Sequence, residues 1–118
     1  MSAIESIEEP ALALPVTIHS ALLDDDLEDL VAEFVAEMPT RIKTLEDALA
    51  SGNRPELLRA VHQLSGAGGS YGFGLLSQCA RALEGRIREG AAFPEVLPAF
   101  AELTEICRRL RPGKPPVA

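Results

Sequence analysis

Between Asp24 and Leu49 the apolar residues keep one period. Leu27, Leu30, Val31, Phe34, Val35, Met38, Ile42, Leu45 and Leu49 fall in a single stripe when the chain is wound at about 100° per residue. Such a stripe defines an amphipathic helix, and a lone amphipathic helix is marginal in water until its apolar face is covered. No other feature constrains the fold as strongly, because whatever covers so long a stripe must be comparably long. Three later segments qualify. Leu57, Leu58, Val61, Leu64 and Gly68 form the face of a second helix, from Arg54 or Pro55 to Gly69. Leu75, Leu76, Cys79, Leu83 and Ile87 form that of a third, from Phe73 to Arg88. Val96, Leu97, Phe100, Leu103, Cys107 and Leu110 form that of a fourth, from Pro94 to Leu110.

The punctuation agrees with these runs. Ser51-Gly52-Asn53 ends the first helix, with Gly52 suited to a left-handed cap. Pro55 suits the first turn of the second helix, Gly69–Gly72 reads as a turn, and Gly90 ends the third helix. Pro98 strains the start of the fourth, and Arg108, Arg109 and Arg111 complement the negative pole at its end. Pro39 lies inside the first run. An interior proline costs about 3 kcal/mol and kinks or breaks a helix, but the stripe keeps its phase across Pro39, which favours one kinked helix. Asp24, Asp25 and Asp26 suit the positive end of that helix. Adjacent carboxylates point in different directions on a helix, which disfavours a metal site there. Val16–Leu23 reads as a short helix whose Ile18, Leu22 and Leu23 cover one end of the bundle. Residues 1–15 and 112–118 lack a period and read as disordered tails. The expectation is one all-α domain over residues 16–111, an up-down-up-down antiparallel four-helix bundle.

Charge and composition narrow the partners. A net charge of -7 argues against nucleic acid and anionic membrane surfaces. No apolar run reaches the roughly 20 residues of a membrane span, and MSAIESIEEP lacks the basic and apolar parts of a signal peptide. A cytoplasmic monomer is expected, with Cys79 and Cys107 as reduced thiols in the core. The start at Met1 and the short tails lean towards a free-standing chain. His19 has nothing reactive around it and reads as a surface or lid residue.

The remaining signal is Ala60–Gly74, AVHQLSGAGGSYGFG. On a helical wheel His62 lies at the boundary of the second helix's apolar face, and Gly66 and Gly69 share its flank. Glycine costs about 1 kcal/mol relative to alanine inside a helix, so a bare strip beside a histidine points to something large approaching the imidazole. Glu84 occupies the matching boundary of the third helix, which an antiparallel hairpin would bring close. No set of nucleophile, base and orienting group is recognisable, and there is no G-x-S-x-G, HExxH or phosphate loop. With only two histidines, unpaired, a metal centre is not expected. A neutral imidazole, whose unperturbed pKa is about 6.5, is a nucleophile in its own right at neutral pH.

His62-Gln63-Leu64-Ser65-Gly66, followed by Gly69 and Gly72 and then by Leu83-Glu84 one helix later, resembles the core pattern of the histidine-containing phosphotransfer (HPt) domain family. The likeness covers about Leu27–Leu110, and FVAEMPTRIKTLEDALASGN is typical of the helix before the active one. The resemblance implies a carrier in a bacterial two-component phosphorelay, not an enzyme. His62 would take a phosphoryl group from a receiver-domain aspartyl phosphate and pass it to another receiver, with a hybrid histidine kinase upstream. The receiver would supply Mg²⁺ and the acidic pocket, so this chain would need no cofactor. Glu84 would accept from Nδ1–H and leave Nε2 to attack, Gly66 would keep the approach open, and Arg59, Gln63 and Gly69 would face the partner.

One position departs from the pattern. The family usually has lysine three residues after the histidine, where this chain has Ser65. A serine offers a neutral hydrogen bond, roughly half as strong as a charge-assisted one; Arg59 is a candidate substitute cation. The departure motivates an alternative, a docking module that binds a receiver or kinase without transfer. A blander alternative is a structural bundle whose glycines allow close packing and whose His62 is a core residue.

Overall fold

The computed structural model describes residues 14–22 and 25–113. Helices α1 (Glu28–Ala36), α2 (Met38–Ala50), α3 (Arg54–Ser70), α4 (Gly74–Arg88) and α5 (Phe93–Arg109) form a helical bundle. α3 packs chiefly on α4, α4 on α5, and α2 on both α3 and α5, so the apolar stripes meet around one core. Leu57 and Val61 of α3, Leu76, Ala80 and Leu83 of α4, and Val96, Leu103 and Ile106 of α5 are sealed from solvent. Each such leucine contributes about 2 kcal/mol through burial. Leu30, Leu75 and Leu97 depart from the expected inward faces and are at least a third exposed. Each lies at the edge of its stripe, where the neighbouring helix no longer covers it.

Pro39 divides what the stripe presents as one helix. It has no N–H to give the Val35 carbonyl, so α1 closes and α2 begins after a single residue, Glu37, with Pro39 in the first turn. Glu37 keeps helical dihedrals (φ -79°, ψ -10°), and the phase of the stripe therefore survives: Val31, Phe34, Met38, Ile42 and Leu45 are all buried. A 3₁₀ turn at Asp25–Leu27 leads into α1, whose N-cap is Leu27 without a side-chain cap and whose first turn carries Glu28 and Asp29; Asp24 lies outside the described residues.

The expected helix over Val16–Leu23 is absent from the described part of that stretch. Strand β1 (Ile18–His19) pairs in parallel with β2 (Leu110–Arg111), Ile18 opposite Leu110 and His19 opposite Arg111. Val16, Thr17 and Ile18 are β-branched and favour extended backbone, and the end of α5 offers a free edge. Leu14 and Pro15, expected in a loose tail, give their carbonyls to Arg109 Nη1 at 3.2 and 3.0 Å. The rest of the expected tails, residues 1–13 and 114–118, lies outside the described residues.

The α3–α4 hairpin is fixed at both ends. Asn53 caps α3 by accepting from the Glu56 N–H at 3.1 Å. Arg54 reaches the carbonyl of Ile87 in the last turn of α4 and that of Ala91 just beyond it. At the turn, Gly72 has φ +83°, and a side chain there would collide with Ser20 and Leu22. Ser20 Oγ donates to the Tyr71 carbonyl at 2.6 Å, and the Ala21 N–H donates to the Gly72 carbonyl at 2.9 Å. Phe34 stacks on Tyr71 at a centroid distance of 4.8 Å. Thus the N-terminal segment and α1 brace the turn that sets α4 against α3.

Candidate functional site

His62 lies in the middle of α3, one residue beyond the sealed Val61 and so about 100° round the helix from it. Its side chain is 65% exposed. A core histidine would be covered, so the reading of a purely structural bundle fails on this residue. From α4, Glu84 reaches across and places Oε2 at 2.8 Å from His62 Nδ1. A carboxylate can only accept, so the contact holds the proton on Nδ1 and leaves the lone pair on Nε2. This is the arrangement expected for the pair.

Glu84 is itself held. Its side chain is 12% exposed, anchored between the buried Leu83 and Ile87. Arg88, one turn on, donates to the same Oε2 through Nε at 3.1 Å and Nη2 at 2.8 Å. The Arg88 hydrogen bond is the main force that holds the Glu84 carboxyl below its ordinary pKa, with partial burial opposing it and the His62 bond adding to it. The carboxylate is therefore charged at neutral pH, and its orientation is fixed before any partner arrives.

The two flanks of His62 differ. A Cβ on Gly66 would meet nothing within 4 Å, so this glycine leaves open space beside the imidazole, as expected. Gly69 is exposed but has only an ordinary contact, 3.6 Å to Ser77 Oγ. Gly68 serves packing: a Cβ there would lie 3.2 Å from Leu76 and from the Ser77 backbone. Gln63 is exposed on the other flank and lines a shallow depression with Thr40, Thr44 and Ala60 between α2 and α3.

One expectation needs correction, and a second residue proves to be paired. Ser65 does not hold its hydroxyl out in place of the family lysine. It is buried, and its Oγ donates to the His62 carbonyl at 2.9 Å, while its own carbonyl accepts from Ser77 Oγ at 2.9 Å. The hydroxyl is engaged by α3 itself, and the residue is buried instead of standing on the open side. Arg59 is bound to both carboxylate oxygens of Glu56, so its charge is already matched. Sequence reasoning missed Arg88, although its spacing of four from Glu84 is the ion-pair signal of a helix. It also missed Ser77 and Arg81, whose importance depends on α4 lying against α3.

A histidine pinned by a carboxylate on the open face of a helical hairpin, with free space over the next glycine, defines a histidine-presenting bundle. A family model of the Hpt domain matches residues 29–112, and the chain belongs to that family, the phosphotransfer modules of two-component signalling. No curated protein and no solved structure matches the chain significantly. Among the described residues no cluster of metal-ligating side chains is present and no helix is long and apolar enough to cross a membrane.

Proposed function

We propose that His62 is the phosphoryl carrier of a phosphorelay, accepting from the aspartyl phosphate of one receiver domain and delivering to the aspartate of another. The observation that carries this reading is the exposed imidazole with Nδ1 bound to Glu84 at 2.8 Å. The Nε2 lone pair attacks phosphorus, the P–O bond to the aspartate breaks, and the aspartate leaves as a carboxylate. The ring gains a positive charge in that step while Nδ1 keeps its proton. Glu84 stabilises the charge where it forms, with no reorganisation at the moment of transfer. Delivery is the reverse sequence on the second receiver.

Phosphoryl transfer depends mainly on positioning and charge compensation. This chain supplies an oriented nucleophile and an unobstructed approach over Gly66; the receiver supplies Mg²⁺ and its acidic pocket. Receivers loaded with labelled phosphate are expected to transfer an acid-labile group to the wild type and none to His62→Ala. Equal labelling of the two proteins would sink the reading.

A further inference from the structure

A phosphoryl group on His62 brings close to two negative charges to a ring already in contact with the Glu84 carboxylate, on a chain of net charge -7. Most arginines of the α3–α4 hairpin are committed elsewhere. Arg59 is bound to Glu56 and Arg88 to Glu84. Arg54 holds the carbonyls of Ile87 and Ala91 at the end of α4, and Arg86 reaches the Glu95 carbonyl. Arg81 differs. It is exposed, and among the described residues it pairs with no carboxylate. Its Nη2 donates to the neutral Ser77 Oγ at 3.2 Å.

Its place in the hairpin is specific. Arg81 follows Ser77 by four residues and precedes Glu84 by three, so the three share one stripe of α4. Both ends of that stripe touch α3 around the acceptor: Ser77 through the Ser65 carbonyl and Glu84 through the imidazole. Arg81 therefore stands between the two cross-helix contacts, about 4.5 Å along the axis from Glu84. Leaving Ser77 breaks nothing in the seam, because the bond from Ser77 to the Ser65 carbonyl does not involve it.

We infer that Arg81 is the residue that binds the phosphoryl oxygens of phosphorylated His62, turning from Ser77 to the new dianion. The inference rests on His62 being the acceptor. Arg81 exchanges one 3.2 Å bond to an uncharged hydroxyl for an ion pair with a dianion that its planar fork can grip through two N–H groups, and α4 becomes the source of both the carboxylate that orients the ring and the cation that holds its cargo.

Chemical phosphorylation with potassium phosphoramidate tests this without a partner. The phosphorus NMR resonance of phosphorylated His62 is followed through a pH titration. A cation on the oxygens favours the dianion, so Arg81→Gln should lower the acid dissociation constant of the phosphoryl group about threefold. Arg81→Lys should restore most of the loss, and high salt should shrink the difference. A midpoint unchanged in Arg81→Gln, or a lysine variant no better than glutamine, overturns the inference. A protein that shows the Arg81 shift but accepts nothing from phosphorylated receivers supports the contact and overturns the relay reading alone. Failure of phosphoramidate to modify His62 overturns both.

Discussion

Replacing Gly66 by alanine should make the protein more stable and less able to exchange phosphate. The position is interior to α3, where glycine is about 1 kcal/mol worse than alanine because its backbone loses more freedom on folding. A Cβ there meets nothing within 4 Å, so no steric term opposes the gain. For a chain of 118 residues about 1 kcal/mol corresponds to a rise of roughly 4 °C in Tm. The same methyl group enters the space beside His62 through which, on the proposed function, a receiver approaches, and transfer should fall about tenfold, in line with the cost of an extra methyl in a packed interface. Gly68→Ala is the matched control. Its Cβ would lie 3.2 Å from Leu76 and from the Ser77 backbone, and backbone cannot yield as a side-chain tip can. Overpacking then outweighs the helix gain, for a net loss of about 1 kcal/mol. Thermal unfolding followed by circular dichroism gives the first half, and receiver-dependent labelling of His62 gives the second. A Gly66→Ala protein with a lower Tm, or one more stable and equally active, would refute the reasoning that this glycine exists for access.

Glu84→Gln should slow transfer onto His62 about fivefold, because a neutral acceptor stabilises the charged ring by about 1 kcal/mol less; an unchanged single-turnover rate would show that the carboxylate charge is irrelevant. The pH dependence has a definite sign. The Glu84 carboxyl lies below its ordinary value of 4.5 in the folded protein, so its stabilisation is complete above that pH and is lost as pH falls through the folded value. Denaturation midpoints of wild type and Glu84→Gln should therefore converge in acid and separate above it. Burial pushes the Cys79 thiol up to about 11 and the Cys107 thiol up to about 12, so both should resist alkylation by iodoacetamide at neutral pH, and rapid modification of the folded protein would contradict their placement. Gly72→Ala should cost at least about 2 kcal/mol, since it combines a positive φ with a Cβ 2.5 Å from Ser20 Oγ; a denaturant midpoint equal to wild type would contradict the bracing of the turn.

What was legible in the sequence follows from the range of the forces involved. The helices around His62 are set by local periodicity, caps and breakers, and Asn53, Gly72 and the stripes of Leu57 to Leu64 and of Leu76 to Ile87 reveal them. The His62–Glu84 pair was legible because a short turn leaves few ways to fold α4 back. The place of Ser65 three residues after His62 suggested a donor for the site, but its spacing of four from the buried Val61 sets it at the seam. The clasp of Ile18–His19 with Leu110–Arg111 joins residues from opposite ends of the chain, and two-residue strands leave no alternation to read. Arg81 likewise carries no local mark. Only its placement between two cross-helix contacts separates it from any other exposed arginine.

That terminal clasp has a mechanical consequence. Because β1 and β2 are parallel, the chain enters beside one end of the pair, at Leu14 and Pro15 near Arg109, and leaves at the other, where the Gly113 carbonyl lies 3.2 Å from His19 Nδ1. Tension drawn between the two ends runs along both strands in opposite senses. It loads their hydrogen bonds side by side, in shear, instead of peeling them one at a time. The contacts of Ser20 and Ala21 with the α3–α4 turn lie behind this junction as seen from the N-terminal side. A pull transmitted from a tethered neighbour would be borne first by the clasp and by Arg109, and the turn that sets Glu84 against His62 would feel it only after they give way.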